Sequence, residues 1–165
     1  MTAGADFREL YKREFPAVFR AAYALSGDRE LAADAAQEAF ARALARWRRL
    51  SREPWTGGWV MTTALNYTRR QMRKRPPVEE ERPADADADA LIDLRRSIAA
   101  LPARQQTALV LHYLMDLPIR EVADSMGCSE GTVKAHLARA RSALEGRLSI
   151  PESPLAAERG GSDRE

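Results

Sequence analysis

The sequence predicts an all-α protein of two small helical domains joined by a flexible linker, the second domain built on a helix-turn-helix. Three observations carry this prediction. Apolar residues recur at three- and four-residue steps, and no stretch alternates apolar and polar residues as a half-buried strand would. Residues 76–90 combine Pro76, Pro77 and Pro83 with an Ala-Asp alternation that offers nothing to bury. Residues 119–144 read as two amphipathic helices on either side of Gly127.

In chain order, Phe7, Leu10, Tyr11, Phe15, Val18, Phe19, Ala22 and Tyr23 mark a first helix. Ser26-Gly27-Asp28 stops it and supplies the N-cap of the next. Leu31, Ala35, Ala39, Phe40, Ala43, Leu44 and Trp47 give the second helix its apolar side, with Asp34, Gln37, Glu38, Arg42 and Arg46 on its other face. After the break at Pro54, Trp59, Val60, Thr63, Ala64 and Tyr67 suit a third helix that presents Asn66, Arg69, Arg70 and Arg73; Gly57-Gly58 stands where its first turn should form. The first domain thus covers residues 6–75, the linker 76–90 and the second domain 91–148. Residues 149–165, with Pro151, Pro154, Gly160 and Gly161, read as a disordered tail.

In the second domain Ile119, Val122, Ala123 and Met126 form one apolar face, and Val133, Leu137, Ala140 and Leu144 another. Gly127 permits the sharp turn between them, and small Ala123 suits a close helix crossing. Ser129 can cap the later helix by accepting a bond from an amide near Thr132, and Glu130 then faces the positive end of the helix dipole. This pattern is a DNA-reading device, against the plainer alternative of a helical hairpin in a core.

At 165 residues, 45% hydrophobic and 30% charged, neither half can bury a large core. One cysteine excludes a disulfide within the chain, and with two histidines it cannot complete a four-ligand structural zinc site. Cys128 and His112 therefore read as packed residues. No apolar run of membrane-spanning length and no signal-peptide pattern occurs, so a soluble, cytoplasmic protein is expected. No metal, cofactor or catalytic residue is expected either, because no paired carboxylates, nucleophile-base pattern or phosphate-binding glycine loop is present. The net charge of +2 hides an uneven distribution. Residues 42–75 hold ten basic side chains against Glu53 alone, whereas residues 76–93 hold seven acids against Arg82 alone. Positive charge not interleaved with acids favours a nucleic-acid surface over an ordinary solvated face.

Asp34-Ala-Ala-Gln-Glu-Ala-Phe40, the basic and tryptophan-bearing stretch after it, Leu101-Pro-Ala-Arg-Gln, and Gly127-Cys-Ser-Glu-Gly-Thr-Val-Lys occur in the order found in extracytoplasmic-function (ECF) sigma factors. The chain resembles that family over roughly residues 6–148. The resemblance implies two helical domains, sigma regions 2 and 4, that direct bacterial RNA polymerase to promoters. It implies docking of Asp34, Gln37 and Glu38 on the beta-prime clamp helices, contact with the beta flap, and possible control by an anti-sigma factor.

By the same resemblance the second and third helices, with the loop Arg48 to Thr56, open the minus-ten element and hold an unstacked base. That chemistry needs cations along the phosphates and planar groups to replace lost stacking, which Arg48, Arg52, Trp55 and Trp59 could supply. Trp59 lies in an apolar stripe, which favours burial, and Trp55 after Pro54 is the better loop candidate. Asn66, Arg69, Arg70 and Arg73 match the face that meets promoter DNA. Ser129, Glu130, Thr132, Lys134, Ala135 and Arg139 match the readers of the minus-thirty-five element, with Arg139 and Arg141 better placed for phosphate than for bases. The family often has Ser-Arg where this chain has Ala135-His136, which replaces a basic donor with a side chain mostly neutral at pH 7. The stretch Ser129 to Leu137 also resembles the recognition helix of LuxR-type regulators, so a stand-alone DNA-binding regulator is the alternative. Against it, the first domain shows none of the alternating strands and helices of a receiver or sensing domain. An adaptor that keeps the sigma shape only for protein contacts is a third reading, opposed by the arginine density.

Overall fold

A computed structural model describes residues 3–75 and 86–147, and every regular element among them is helical. Helices α1 (Ala3–Ser26), α2 (Arg29–Ala45), α3 (Trp47–Leu50) and α4 (Thr56–Lys74) form the first unit. Helices α5 (Ala86–Ala99), α6 (Ala103–Leu109), α7 (Ile119–Met126) and α8 (Glu130–Glu145) form the second, with α6 running on as a π-helical stretch, Val110–Leu114.

Local chemistry sets the helix ends. Gly27 adopts φ 67° after α1 and its amide donates to Tyr23 O at 2.7 Å, which closes the last turn in a left-handed cap. Asp28 then caps α2 by accepting from the amides of Glu30 and Leu31 at 2.9 and 3.1 Å. At the helix-turn-helix, Gly127 takes φ 64°, the Cys128 amide donates to Ala123 O at 3.1 Å and the Gly127 amide to Asp124 O at 3.3 Å. These two bonds are the Schellman pattern, which satisfies carbonyls that the end of α7 would otherwise leave unpaired. Ser129 Oγ accepts from the Thr132 amide at 3.1 Å and starts α8.

Packing begins with small residues. Ala32, Ala35, Ala36, Ala39 and Ala43 of α2 are fully buried, so α1 and α4 approach α2 closely. Phe40 fills the remaining space, with its ring centroid 4.7 Å from that of Tyr11 and 6.0 Å from that of Phe15. Val18, Val60, Met61 and Leu65 complete this side, each burial worth about 1.5–3 kcal/mol. In the second unit Ala108, Leu111, Val122, Val133 and Leu137 are buried, and all belong to the same continuous apolar cluster as the core of the first. The two units are therefore packed together, with α4 against α1 and α2 and also against α7.

Several expectations need correction. Leu44, expected in the core, is exposed, because α2 turns it away from α1 and α4. Arg48 and Arg49 lie on α3, which leaves only residues 51–55 between helices. Thr56 Oγ1 lies within hydrogen-bond reach of the carbonyls of Leu50 and Glu53 and ties that short connection down. Gly57 and Gly58 do not delay α4, which begins at Thr56 and runs through both. Residues 86–90 of the expected linker are helical. The remainder of the linker, 76–85, and the expected tail lie outside the described residues.

Asp28→Ala removes the α2 cap and should cost about 1 kcal/mol of unfolding free energy, while Asp28→Asn should retain most of it. Denaturant midpoints at constant slope measure the difference, and an unchanged midpoint for the alanine variant would show that the cap is idle.

Candidate functional site

Helix α2 presents the first group of candidate residues. Gln37 is exposed, while Asp34 and Glu38 are half-buried. Glu38 Oε1 accepts from Arg42 Nε at 2.7 Å, one helical turn on. Leu44, seven residues beyond Gln37, continues the same side of the helix as an exposed apolar residue. Counting seven from Gln37 rather than one from Ala43 would have found it.

The second group does not form one surface. Arg48 on α3 and Arg52 in the short connection are exposed. Trp55 and Trp59 are both half-buried and both pack on the apolar cluster, so the expected contrast between a loop tryptophan and a core tryptophan is absent. The Arg46 guanidinium lies 6.0 Å from the centroid of the Trp59 ring, a cation-π contact. Asn66, Arg69, Arg70 and Arg73 share one side of α4 at steps of three and four residues. Asn66, Arg70 and Arg73 are exposed there. Arg69 instead reaches into the second unit, with Nε donating to Gln106 Oε1 at 2.9 Å and Nη2 to Thr107 Oγ1 at 2.8 Å and Ala103 O at 3.1 Å. Its Nη1 donates to Asn66 Oδ1 at 2.9 Å. Burial, aided by the neighbouring charge of Arg73, lowers the Arg69 pKa to about 10, so the guanidinium stays charged at neutral pH.

The third group lies on α8. Ser129, Glu130, Thr132, Lys134 and Arg139 are exposed and Ala135 is half-buried. Ser129 Oγ and Thr132 Oγ1 are 2.9 Å apart, so the cap also orients the threonine hydroxyl. Arg141 is tied to the Tyr113 hydroxyl at 3.0 Å, and Arg104 Nη1 donates to Met126 O at the end of α7 at 3.3 Å. His136 is half-buried with its Nδ1 unpartnered, and partial desolvation, then Arg104, then Arg139 hold its pKa below the ordinary histidine value. His112 is a packed histidine whose Nδ1 donates to Leu117 O at 2.8 Å. Cys128 is half-buried against the apolar cluster. Among the described residues no group of three His, Cys, Asp or Glu converges for a metal, and no helix is long and apolar enough to cross a membrane.

Two helical units, the second a helix-turn-helix whose recognition helix keeps an exposed, capped N-terminal turn, define the class as a DNA-reading transcription factor. The family model for sigma-70 region 2 matches residues 10–76, and that for sigma-70 region 4 matches residues 91–144. The chain belongs to the sigma-70 family and is an ECF-type RNA polymerase sigma factor, which acts in promoter recognition. Such factors are transcription initiation factors and not catalysts in themselves. The chain is 28% identical to the ECF RNA polymerase sigma factor SigW of Bacillus subtilis, over 88% of this chain and 89% of that protein. It is 32% identical to the ECF RNA polymerase sigma factor SigC of Mycobacterium tuberculosis, over 67% of this chain and 66% of that protein. The sigma factor RpoE of Bartonella quintana, solved in complex with the anti-sigma factor NepR, superposes with a TM-score of 0.70 at 26% identity, over 89% of this chain and 99% of that one.

Because His136 titrates below its unfolded value, the unfolded chain takes up a proton first as pH falls. The stability this group contributes is full above its unfolded pKa of about 6.5 and is lost as pH falls from there through the lower folded-state pKa. Unfolding midpoints near pH 7.5 and pH 5.5 should therefore differ less for His136→Gln than for the natural chain. An equal difference in both would place the pH response elsewhere.

Proposed function

We propose that the chain binds core RNA polymerase through its first unit, opens the minus-ten element with α3, α4 and the connection between them, and reads the minus-thirty-five element with α8. The single observation that carries this reading is the α8 N-terminal turn, where Ser129, Glu130, Thr132 and Lys134 stand exposed on a capped helix end. A recognition helix enters the major groove by that end, so early polar positions meet bases, with the half-buried Ala135 among them, and Arg139 meets phosphate. Arg48, Arg52, Arg70 and Arg73 supply cations for the backbone of the opened strand, with Asn66 beside them. Trp55 and Trp59 supply ring faces for stacking. Arg69 joins this set once it leaves its acceptors in the second unit.

Asp34, Gln37 and Glu38 form the docking face for the beta-prime clamp helices, extended by Leu44, and the second unit contacts the beta flap. The domain limits proposed are 6–75 and 91–148, joined by the acidic segment 76–90 and followed by the tail 149–165. The acidic segment suits either a tether or a strand threaded through the RNA exit channel. The relative solved with NepR supports an anti-sigma factor as a further partner. The chain itself carries no catalytic site and works in the cytoplasm, where polymerase and promoter are. The exposed helix-turn-helix alone would also suit a LuxR-like regulator, but the region 2 match over residues 10–76 supports the sigma reading instead.

Charge reversal of Asp34 and Glu38 together should weaken capture of core polymerase, since complementary charge steers that association. Unchanged capture by a variant whose circular dichroism is normal removes the docking assignment. Lys134→Ala and Arg139→Ala should each weaken promoter binding by the holoenzyme and lower the slope of log affinity against log salt by about one. Thr132→Ala should alter preference among minus-thirty-five sequences. Equal losses on every sequence would count against base reading by Thr132.

A further inference from the structure

We propose that the cleft between α4 and α6 is a binding site for a small phosphate-class anion, either free phosphate or the phosphate group of a small phosphomonoester. The cleft has a volume of about 180 Å³, and Thr62, Asn66 and Arg69 of α4 line it together with Arg104 and Thr107 of α6. This site goes beyond promoter recognition and does not depend on it.

The lining is rich in donors and poor in free acceptors. Arg69 spends all but one of its N–H groups on neutral oxygens, those of Gln106, Ala103, Thr107 and Asn66, and the one left over is on Nη1, the nitrogen that donates to Asn66 Oδ1. Asn66 Oδ1 is thereby occupied, while its Nδ2 amide has no partner among the described residues. The buried Thr107 hydroxyl accepts from Arg69 and keeps its own proton to donate. Arg104 makes one hydrogen bond, to Met126 O at 3.3 Å, and its other N–H groups are unpartnered among the described residues. Thr62 Oγ1 is buried with no hydrogen-bond partner, a state that costs free energy until an acceptor or donor meets it.

Charge points the same way. Among the described residues neither Arg69 nor Arg104 forms an ion pair, and no Asp or Glu lines the cleft. Burial, then the charge of Arg73, lowers the Arg69 pKa to about 10, the mark of a guanidinium that is hydrogen-bonded but not neutralised. A phosphate supplies what is missing, since its oxygens accept from a guanidinium fork and its charge balances the arginines. A free phosphate or a monoester carries about −1.5 to −2 at pH 7 and presents at least three open oxygens. A phosphodiester of a nucleic-acid backbone carries less charge and has a sugar on both sides. The cleft is also smaller than the roughly 300–1,000 Å³ of a drug-sized site, so it takes the phosphate group and little beyond it. Because α4 and α6 both contribute donors, the bound anion joins the two units and stabilises the chain by mass action.

Isothermal titration of the full chain with inorganic phosphate at constant ionic strength should give saturable binding to one site, and sodium chloride should give none. Arg104→Ala, a change at an exposed residue, should weaken phosphate binding about tenfold through the loss of a charge-assisted bond. Ala103→Glu brings a carboxylate to the exposed edge of the same cleft, should weaken binding at least as much, and carries the test if Arg104→Ala misfolds. Arg20→Ala removes an exposed arginine of α1 outside the cleft and should leave the affinity unchanged. Glycerol 3-phosphate distinguishes the two sources: tighter binding than inorganic phosphate assigns a phosphomonoester, weaker binding assigns the free ion, and either result supports the site. Heats that never saturate overturn it, as does equal affinity for phosphate in the natural chain, Arg104→Ala and Ala103→Glu. Dimethyl phosphate, which has the diester chemistry of a nucleic-acid backbone, should bind more weakly than inorganic phosphate. Equal or tighter binding of the diester would assign the cleft to nucleic acid and overturn the small-ligand site.

Discussion

The close crossing of α4 on α7, permitted by the absence of a side chain at Gly58, is the constraint on which the rest of the arrangement depends. Helix α4 is used on two sides at once. Val60, Met61, Ala64 and Leu65 are buried on it, and Gly58 and Arg69 meet the second unit. Moving α7 outward by the width of a methyl group would withdraw Ser125 from the Trp55 carbonyl and Leu117 from α4. It would also carry the α6 acceptors away from Arg69. One missing Cβ therefore fixes the position of a guanidinium three turns away, because a helix transmits displacement along its axis without bending much.

That geometry divides the basic side of α4 into two populations. Arg70 and Arg73 remain exposed, and their charges act through solvent at long range. Arg69 has exchanged water for four neutral acceptors, which preserves its hydrogen bonds but not its electrostatic balance, as its lowered pKa records. The recognition helix is under no such restriction, since its candidate readers other than Ala135 are exposed and its N-terminal turn is held by its own cap. The two halves thus differ in readiness. The α8 surface is presented as folded, whereas part of the α4 surface is engaged within the chain.

The acidic face of α2 follows a similar logic on a smaller scale. Glu38 is paired with Arg42 at one turn, an exchangeable contact worth only a few tenths of a kcal/mol. Leu44 extends the face with an apolar group that the alanine-rich core cannot accommodate. Alanines at five buried positions bring α1 and α4 close to α2, and Phe40 fills the gap left between them with its aromatic neighbours.

What the sequence by itself determined was local. The helical class, the stop at Gly27, the caps at Asp28 and Ser129 and the turn at Gly127 all depend on groups within about five residues of one another, and backbone chemistry at that range is set by residue type. The tertiary structure decided the rest. It turned Leu44 outward, half-buried Trp55 and Trp59 alike, carried α4 through Gly57 and Gly58, and drew Arg69 out of the basic set. Arg69 meets Gln106 across 37 residues of chain and Ser125 meets Trp55 across 70, including the segment expected as a linker. Helical spacing shows which residues share a face but not which face another unit will cover, because that choice is made by the fit of surfaces distant in the chain.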